Sequence, residues 1–551
     1  MLIGGKAGFG IDKAGQIIAA IFNRRGYRIY VYRDYPSIIR GGHTFSLIRA
    51  SATRRDAHEG HVDYLLALDQ ETFDLHKGRL KSEAVVIYDN DAVKVSELPD
   101  GIRTIGSPLA KVVKEEAAPD ISRNTCIIAI LCKTIGIDWG LAEEALRRYI
   151  SKDIEANIKA GSRAYRESPS LTEFGAIDQR PHPLVSGNEA ISLGLLKGGL
   201  KAYLAYPMTP SSPILHYLAH VAEEFSLKVI HPENEIAVML MALGFSFAGE
   251  RVAVGTSGGG FCLMTEGLSF SGMAELPIVV ILGQRPGPST GLPTYSCQTE
   301  LNFALSAGQG EFTRFVVAPG DPEEAYYWSS EALNIAWKYQ IPSIILSDKD
   351  LAEATYSFDE AALATAQERP PFLWDRSQAY KRYADTETGI SPLAFPSEKD
   401  AIIKINSYEH DESGITTENG AITKKMEDKR LRKERLLRED LTSLQTVRVH
   451  GDKDAKTALL CWGSAKGVCV EAAQELGLKV VQVVVFAPFP FEEVAQALAG
   501  AKKVIAVEYN ATAQCARLVR ARGIAIHEEV LKYDGRPFSS DELTKKIEGL
   551  L

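Results

Sequence analysis

The chain of 551 residues is too long for one compact domain and has room for about three or four. Hydrophobic residues make up 45% and charged residues 24%, an ordinary globular mixture that excludes disorder, collagen and coiled coil as the overall class. The formal net charge of −9 argues against a protein built mainly to hold nucleic acid. No apolar run reaches the roughly 18 residues needed to span a bilayer; residues 125–137 come nearest and contain Lys133. The N-terminus enters a glycine loop at once, without the charged head and apolar core of a secretory leader, so a soluble, cytoplasmic protein is expected. Seven cysteines, at 126, 132, 262, 297, 461, 469 and 515, form no C-x-x-C pair, which leaves no local spacing for zinc or an iron–sulfur cluster. Cys126 and Cys132 read as core thiols.

Residues 1–180 alternate short strands and helices. A brief apolar start leads into the loop Gly4–Gly10, a helix over 14–25 and a strand over 27–32. Two more strands are expected at 62–68 and 84–88. Residues 185–350 repeat the rhythm more strongly. Helices are expected at 189–200 and 214–225, and strands at 202–206, 251–256, 277–283 and 343–347. Between them, 235–248 is apolar nearly all round, and such a helix is expected to be buried. Residues 351–452 are a polar connector in which 421–440 carries eight Lys/Arg against five Asp/Glu. The expectation there is a solvated helix with i,i+4 pairs that straps one domain to another. Residues 453–551 resume with strands at 457–461, 479–485 and 503–508 and a helix at 467–476. The fold class is α/β and multi-domain.

Several strand ends carry chemistry. The loop Gly4–Gly10 is not G-x-G-x-x-G, because Lys13 stands where the third glycine belongs. Gly8 and Gly10 still place free backbone N–H groups at a helix start, which suits a phosphate or a plain turn. Arg40, Gly41 and Gly42 add a cation beside two permissive positions, again for an anion or a turn. Tyr206 and Pro207 end a strand, and Thr209, Ser211 and Ser212 gather hydroxyls at the sheet's C-terminal edge, where α/β proteins bind ligands. Thr256, Ser257 and Gly258 end another strand. Arg285 ends a third among rigid prolines and glycines, suited to a bidentate carboxylate or a structural ion pair. Glu235 opens the apolar helix, either as a dipole partner or as a desolvated acid bonding a ring nitrogen of a buried cofactor.

Five segments in order carry a family resemblance: Ser186–Ala190, Tyr206–Ser212, Glu233–Ala237, Thr256–Gly260 and Gln284–Thr294. Together they resemble the α subunit of 2-oxoacid:ferredoxin oxidoreductases, in the form with a fused N-terminal γ domain. The resemblance covers nearly the whole chain. It implies a γ-like domain over 1–180, a thiamine-diphosphate pyrimidine-binding domain over 185–350, the connector, and a transketolase-C-terminal-like domain over 453–551.

The implied activity is thiamine-diphosphate-dependent oxidative decarboxylation of a 2-oxo acid, with electrons passing to ferredoxin and the acyl group to coenzyme A. 2-Oxoglutarate is favoured over pyruvate. By the same resemblance Glu235 bonds the aminopyrimidine, Thr209 lies beside thiazolium and substrate, and Arg285 pairs with the substrate carboxylate. Tyr206, Pro207, Thr256, Ser257 and Gly258 border the cofactor, while Gly8, Gly10, Arg40, Gly41 and Gly42 mark the place for coenzyme A. No Gly-Asp-Gly occurs, so the chain holds half a site. A β-type partner is expected to carry the diphosphate-binding domain, Mg²⁺ and [4Fe–4S] clusters, in an (αβ)₂ assembly. No metal ligand is assigned to this chain. Met208, Gly259 and Ala513 depart from the family pattern, the last in a segment that bears on the C-terminal domain's contacts. A different thiamine enzyme half and a non-catalytic assembly subunit are the alternatives.

Overall fold

The computed structural model describes residues 1–38 and 41–551. Two compact units share the chain. The first is Met1–Val185 with Ala354–Asp359 and Phe538–Lys545, and the second is Ser186–Glu353, Glu360–Pro537 and Lys546–Leu551.

The first unit is built on an eight-stranded sheet. Arg103–Ser107, Leu80–Asp89, Val62–Ala67 and Leu2–Lys6 lie side by side and parallel. His43–Ser51 then pairs antiparallel with Leu2–Lys6 and with Arg28–Asp34. The sequence reading missed His43–Ser51 because His43, Thr44, Ser46 and Arg49 break up its apolar pattern. Helix Ile11–Arg24 presents Ile17, Ile18, Ile21 and Phe22 to the core, and Cys126 and Cys132 are buried in helix Arg123–Thr134.

The second unit holds two sheets. The larger runs Val485–Ala487, Phe315–Val317, Pro342–Asp348, Ile278–Gln284, Val252–Ser257, Ala202–Leu204, Lys228–Ile230. All pairings are parallel except that of Val485–Ala487. Ile278–Gln284 and Pro342–Asp348 are buried throughout, as parallel strands covered on both faces must be. The smaller sheet runs Val447–Gly451, Lys479–Val483, Thr457–Trp462, Lys503–Glu508, Glu528–Leu531. The expected single strand over 479–485 is in fact two. Its first part pairs within the smaller sheet, and Val485–Ala487 crosses to pair with the larger one. A single apolar cluster joins both sheets, from Val254 and Ile344 to Trp462 and Val481.

Helix Glu235–Phe247 corrects one expectation. Val238, Met239, Ala242 and Leu243 pack into the core, but Ile236, Leu240 and Met241 are 47%, 50% and 42% exposed. An all-round apolar surface does not by itself bury a helix. Here one face finds the sheet, and the other finds no full cover among the described residues.

The connector helix Gly420–Leu441 corrects another. It has the expected i,i+4 pairs, Lys424–Asp428 and Arg438–Glu434, on its exposed face. Its other face is not solvated. Lys429 and Lys433 are fully buried against Glu275, with Lys429 Nζ 2.7 Å from Glu275 Oε1. Arg382 donates to the carbonyls of Ala274 and Glu275 at 3.1 and 2.7 Å. Burial opposes ionisation of Glu275, but Lys429, Lys433 and Arg382 more than reverse this and hold its carboxyl well below the usual range. Burial pushes Lys433 down to about 7 despite its partner. Breaking such a cluster strands a buried charge. Glu275→Ala is expected to cost about 3–5 kcal/mol in urea unfolding of the full chain. A loss below about 1 kcal/mol would show that the cluster relaxes to neutral lysines instead.

Candidate functional site

Three neighbouring parallel strands deliver their C-terminal ends to one edge of the larger sheet. Ala202–Leu204 leads to Tyr206, Pro207 and Thr209; Val252–Ser257 ends in Thr256 and Ser257; Ile278–Gln284 leads directly to Arg285. Registers Val254↔Leu204 and Ser257↔Gly283 keep these ends level. Tyr206 is 39% exposed, Thr209 half-buried, and Thr256 and Ser257 fully buried.

Glu235 arrives from the adjoining helix, whose start is capped by Asn234 accepting from the Ala237 N–H at 2.9 Å. With the cap supplied by Asn234, the Glu235 side chain is left for other work. It is 4% exposed, and its Oε1 is enclosed without a hydrogen-bond partner. The space it occupies exists because Gly260 has no side chain. A Cβ there would lie 2.5 Å from Glu235 Oε1 and 2.1 Å from Thr256 Oγ1. Gly258, Gly259 and Gly260 form the first turn of helix Gly258–Ala274, at a cost of up to about 1 kcal/mol each relative to alanine. That cost was the available sequence signal for Gly260, whose role the sequence reading did not assign.

The loop after Arg285 returns over the same turn. Arg285 donates from Nη1 to the Thr209 carbonyl at 3.0 Å, while its Nε is enclosed without a partner. Burial lowers the Arg285 guanidinium below its ordinary value, and the charge of Glu300 pulls it partly back. Glu300 sits over Gly258, where a Cβ would meet its Oε1 at 2.7 Å. Its Oε1 accepts from Thr299 Oγ1 at 2.9 Å, and its Oε2 is enclosed and unpartnered. Burial pushes the Glu300 carboxyl up to about 7, against the opposing pulls of Thr299 and Arg285. The sequence reading missed Glu300, since no local pattern distinguishes an acid before a short helix.

The smaller sheet fixes this loop. Gln298 donates to the Trp462 carbonyl at 2.8 Å and accepts from the Tyr509 N–H at 3.0 Å. Asn510 donates to the Gln298 carbonyl, and Gln514 to the Thr299 carbonyl, at 3.1 and 2.8 Å. Ala513 takes φ 50°, a left-handed conformation that favours glycine, yet the Gln514 contacts are made.

In the first unit, the Ala7 N–H donates to the Gly42 carbonyl at 3.1 Å, so the loop bearing Gly8 and Gly10 lies beside the Gly41–Gly42 turn. Gly10, at φ 71°, leads into helix Ile11–Arg24, whose start has no side-chain cap. Arg40 lies outside the described residues.

A parallel α/β edge with an enclosed acid and a guanidinium fits a ligand-binding half-site, and the comparisons define its class. Residues 194–428 match the family described as pyruvate flavodoxin/ferredoxin oxidoreductase, thiamine diphosphate-binding, and residues 1–167 match pyruvate ferredoxin/flavodoxin oxidoreductase. The α subunit of 2-oxoacid:ferredoxin oxidoreductase from Sulfolobus is 31% identical over 99% of this chain and 96% of its own. Subunit KorA of the 2-oxoglutarate oxidoreductase of Mycobacterium tuberculosis is 31% identical over 78% of this chain and 68% of its own. The structure of the Magnetococcus marinus 2-oxoglutarate:ferredoxin oxidoreductase with 2-oxoglutarate, coenzyme A and succinyl-CoA bound is 28% identical. It superposes with a TM-score of 0.90 over 100% of this chain and 98% of that one. The chain belongs to the 2-oxoacid:ferredoxin oxidoreductase family, as an α subunit.

The contact at Gly260 can be tested directly. Gly260→Ala is expected to destabilise the chain by about 1–3 kcal/mol in thermal melts, as overpacking does. It should also perturb any ligand binding that depends on Glu235. A variant melting with the wild type would show that Glu235 and Thr256 move aside freely.

Proposed function

We propose that this chain is the pyrimidine-binding half of a thiamine-diphosphate enzyme that oxidatively decarboxylates a 2-oxo acid. On this reading electrons pass to ferredoxin through clusters on a β-type partner, and the acyl group passes to coenzyme A. The observation that carries it is the enclosed, unpartnered carboxyl oxygen of Glu235 beside a glycine turn. Such an acid in a dry setting fits a protonated ring nitrogen, and the residues present therefore fit the aminopyrimidine. When bound, the cofactor supplies the electron sink for decarboxylation.

The chain's own residues do the rest. Glu235 holds a proton at the pyrimidine nitrogen. Thr256, Ser257 and Gly258 offer a level, side-chain-poor edge against the ring, with Tyr206 and Pro207 beside it. Thr209 presents a hydroxyl near the reacting carbonyl, and Arg285, steadied by the Thr209 carbonyl, receives the substrate carboxylate. Among 2-oxo acids we favour 2-oxoglutarate, which the Magnetococcus structure contains and for which the Mycobacterium relative is named. The loops at Gly8, Gly10, Gly41 and Gly42 are the proposed approach of coenzyme A, because an uncapped helix start attracts phosphate.

A missing half is supported by the surface. A groove of about 1280 Å³ starts at Ile236, next to Glu235, and is lined by Leu240, Leu263, Phe270, Phe312 and Tyr408. Leu240, Leu263 and Tyr408 are 50%, 49% and 68% exposed, the apolar character expected of an interface. A β-type subunit carrying the diphosphate-binding domain, Mg²⁺ and [4Fe–4S] clusters would cover it, in an (αβ)₂ assembly. Seven free cysteines fit a reducing, cytoplasmic setting. Among the described residues no helix is long and apolar enough to cross a membrane.

The isolated chain is expected to be colourless and inactive. Copurified with its β-type partner and given thiamine diphosphate and Mg²⁺, it should reduce a redox dye only when a 2-oxo acid is added. Brown absorbance from the isolated chain would contradict this. In the complex, Glu235→Gln should lower kcat by at least about 10²-fold; unchanged turnover would return Glu235 to a packing role. Arg285→Lys keeps the charge but loses the planar fork, so kcat/KM for the 2-oxo acid should fall roughly 10–100-fold with coenzyme A saturation unaltered. Equal losses of stability and activity, with KM for the oxo acid unmoved, would make Arg285 structural.

A further inference from the structure

The segment Ser186–Ala190 carries a polar side chain that the half-site leaves without a task. Asn188 is the second residue of helix Gly187–Lys197, and only 2% of it is exposed. Asparagine suits a helix cap better than a helix interior, and here the cap is already made. Ser186 Oγ accepts from the Glu189 N–H at 3.2 Å, and Glu189 Oε2 accepts from the Ser186 N–H at 2.7 Å. That reciprocal pair closes the helix start without Asn188. Asn188 instead sends its amide out of the helix. Its Nδ2 donates to the Pro210 carbonyl at 2.8 Å, with both groups buried.

The Pro210 carbonyl belongs to the turn that presents Thr209, and the turn is held from three sides. Arg285 Nη1 donates to the Thr209 carbonyl at 3.0 Å. Gly283, in strand Ile278–Gln284, lies against the Pro210 ring, and a Cβ there would stand 3.0 Å from Cγ and Cδ of that ring. Asn188 takes the next carbonyl along the chain. Inside the turn, the Met208 carbonyl accepts from the Ser211 and Ser212 N–H groups at 2.9 and 3.1 Å and from Ser211 Oγ at 3.0 Å. The backbone is therefore tied before, at and after Thr209.

We infer that Asn188 is a positioning residue for the reaction: it fixes the turn that carries the Thr209 hydroxyl and acts through that turn. This rests on the reading of Thr209 as the hydroxyl beside the reacting carbonyl. Asn188 itself is buried behind the turn and is not a group that meets the substrate.

The amide is aimed from a firm base. A Cβ at Gly187 would lie 2.2 Å from the Leu351 carbonyl oxygen, so the helix start presses on the backbone that follows strand Pro342–Asp348. Further along, a Cβ at Gly194 would lie 2.1 Å from the Tyr326 carbonyl oxygen of helix Pro322–Tyr339. Helix Gly187–Lys197 thus has no room to slide, and neither has its amide. Without that donor the Pro210 carbonyl would be buried and unpaired, a cost relieved by shifting the turn toward water. A shift of about 1 Å at a group aligned for reaction can cost about 10²-fold in rate. A bond that served the fold alone would lower stability and leave the turnover of the folded enzyme unchanged.

The test joins thermal melts of the full chain to kinetics of its complex with the β-type partner. Asn188→Ala should lower the melting temperature by about 1–3 °C, since the Pro210 carbonyl loses its donor. In the complex it should lower kcat at least about fivefold, while KM for the 2-oxo acid changes less than about threefold. Asn188→Leu keeps the branching and the volume without the donor. It should behave alike, and it stands in where the alanine variant does not fold. Thr209→Val removes the hydroxyl through which Asn188 acts. In that background Asn188→Ala should lower kcat by less than about 1.5-fold further, yet lose the same melting temperature as before. Melting curves of both Asn188 variants that match wild type would overturn the inference. So would kcat losses that multiply in the double variant, or a lowered melting temperature with kcat unchanged. If Thr209→Val keeps the wild-type kcat, the Thr209 reading fails and takes this one with it. No 2-oxo-acid-dependent reduction by the wild-type complex would remove the proposed function itself.

Discussion

Everything in the candidate site depends on a helix turn that has no side chains. Gly258, Gly259 and Gly260 begin helix Gly258–Ala274 where strand Val252–Ser257 ends, so the backbone itself forms the wall of the cleft. Two carboxyls rest against that wall, Glu300 at Gly258 and Glu235 at Gly260. A single methyl group at either glycine would fall within 2.7 Å of a carboxylate oxygen, closer than real contacts allow. The helical propensity given up at Gly258 and Gly260 is the cost of admitting two acids to one positive helix end. Burial raises Glu300 toward neutrality; Glu235 is enclosed on one oxygen, and Asn234 caps the start of its helix.

The smaller sheet takes part in this site without lining it. Its loops at Trp462 and at Tyr509–Gln514 hydrogen-bond the segment that carries Gln298, Thr299 and Glu300. Beneath, Lys466 pairs with Asp321 and Glu324, and Ser464 bonds Asp348, so buried polar contacts lock the two sheets in one register. Ala513 shows how this loop accepts local strain. The residue accepts φ 50°, a strain of about 1–2 kcal/mol, to keep Gln514 in place.

The connector works on the same principle at the far end of the glycine helix. Glu275 ends it at φ 52°, and the connector helix answers with Lys429 and Lys433 while Arg382 ties the carbonyls. Apolar replacement of such a cluster is often neutral for stability, whereas the buried charges tie the 22-residue helix to Glu275 in one register. The C-terminal end of helix Gly258–Ala274 is therefore set by charge, and its middle by packing from Phe261, Met264 and Leu268.

Much of this was open to the sequence, for a physical reason. Strand-end motifs such as Tyr206–Ser212 and Thr256–Gly260 are contiguous with the apolar runs that define their strands, so reading one places the other. Buried parallel strands advertise themselves as unbroken apolar segments, and the α/β class followed from their alternation with helices. Other features required the tertiary structure, because they depend on residues brought together from distant positions. The strand His43–Ser51 hides its pattern and is completed by its partners on either side. Val485–Ala487 leaves its own sheet for another. The exposed face of helix Glu235–Phe247 and the buried face of the connector helix reverse what composition implies, since burial is set by what lies opposite and not by the residue itself. Glu300 is the sharpest case. In sequence it is one acid among 71 acidic residues; its raised affinity for a proton comes from burial against Gly258 and the loops of a second sheet, with Arg285 pulling the other way, and only folding supplies that enclosure.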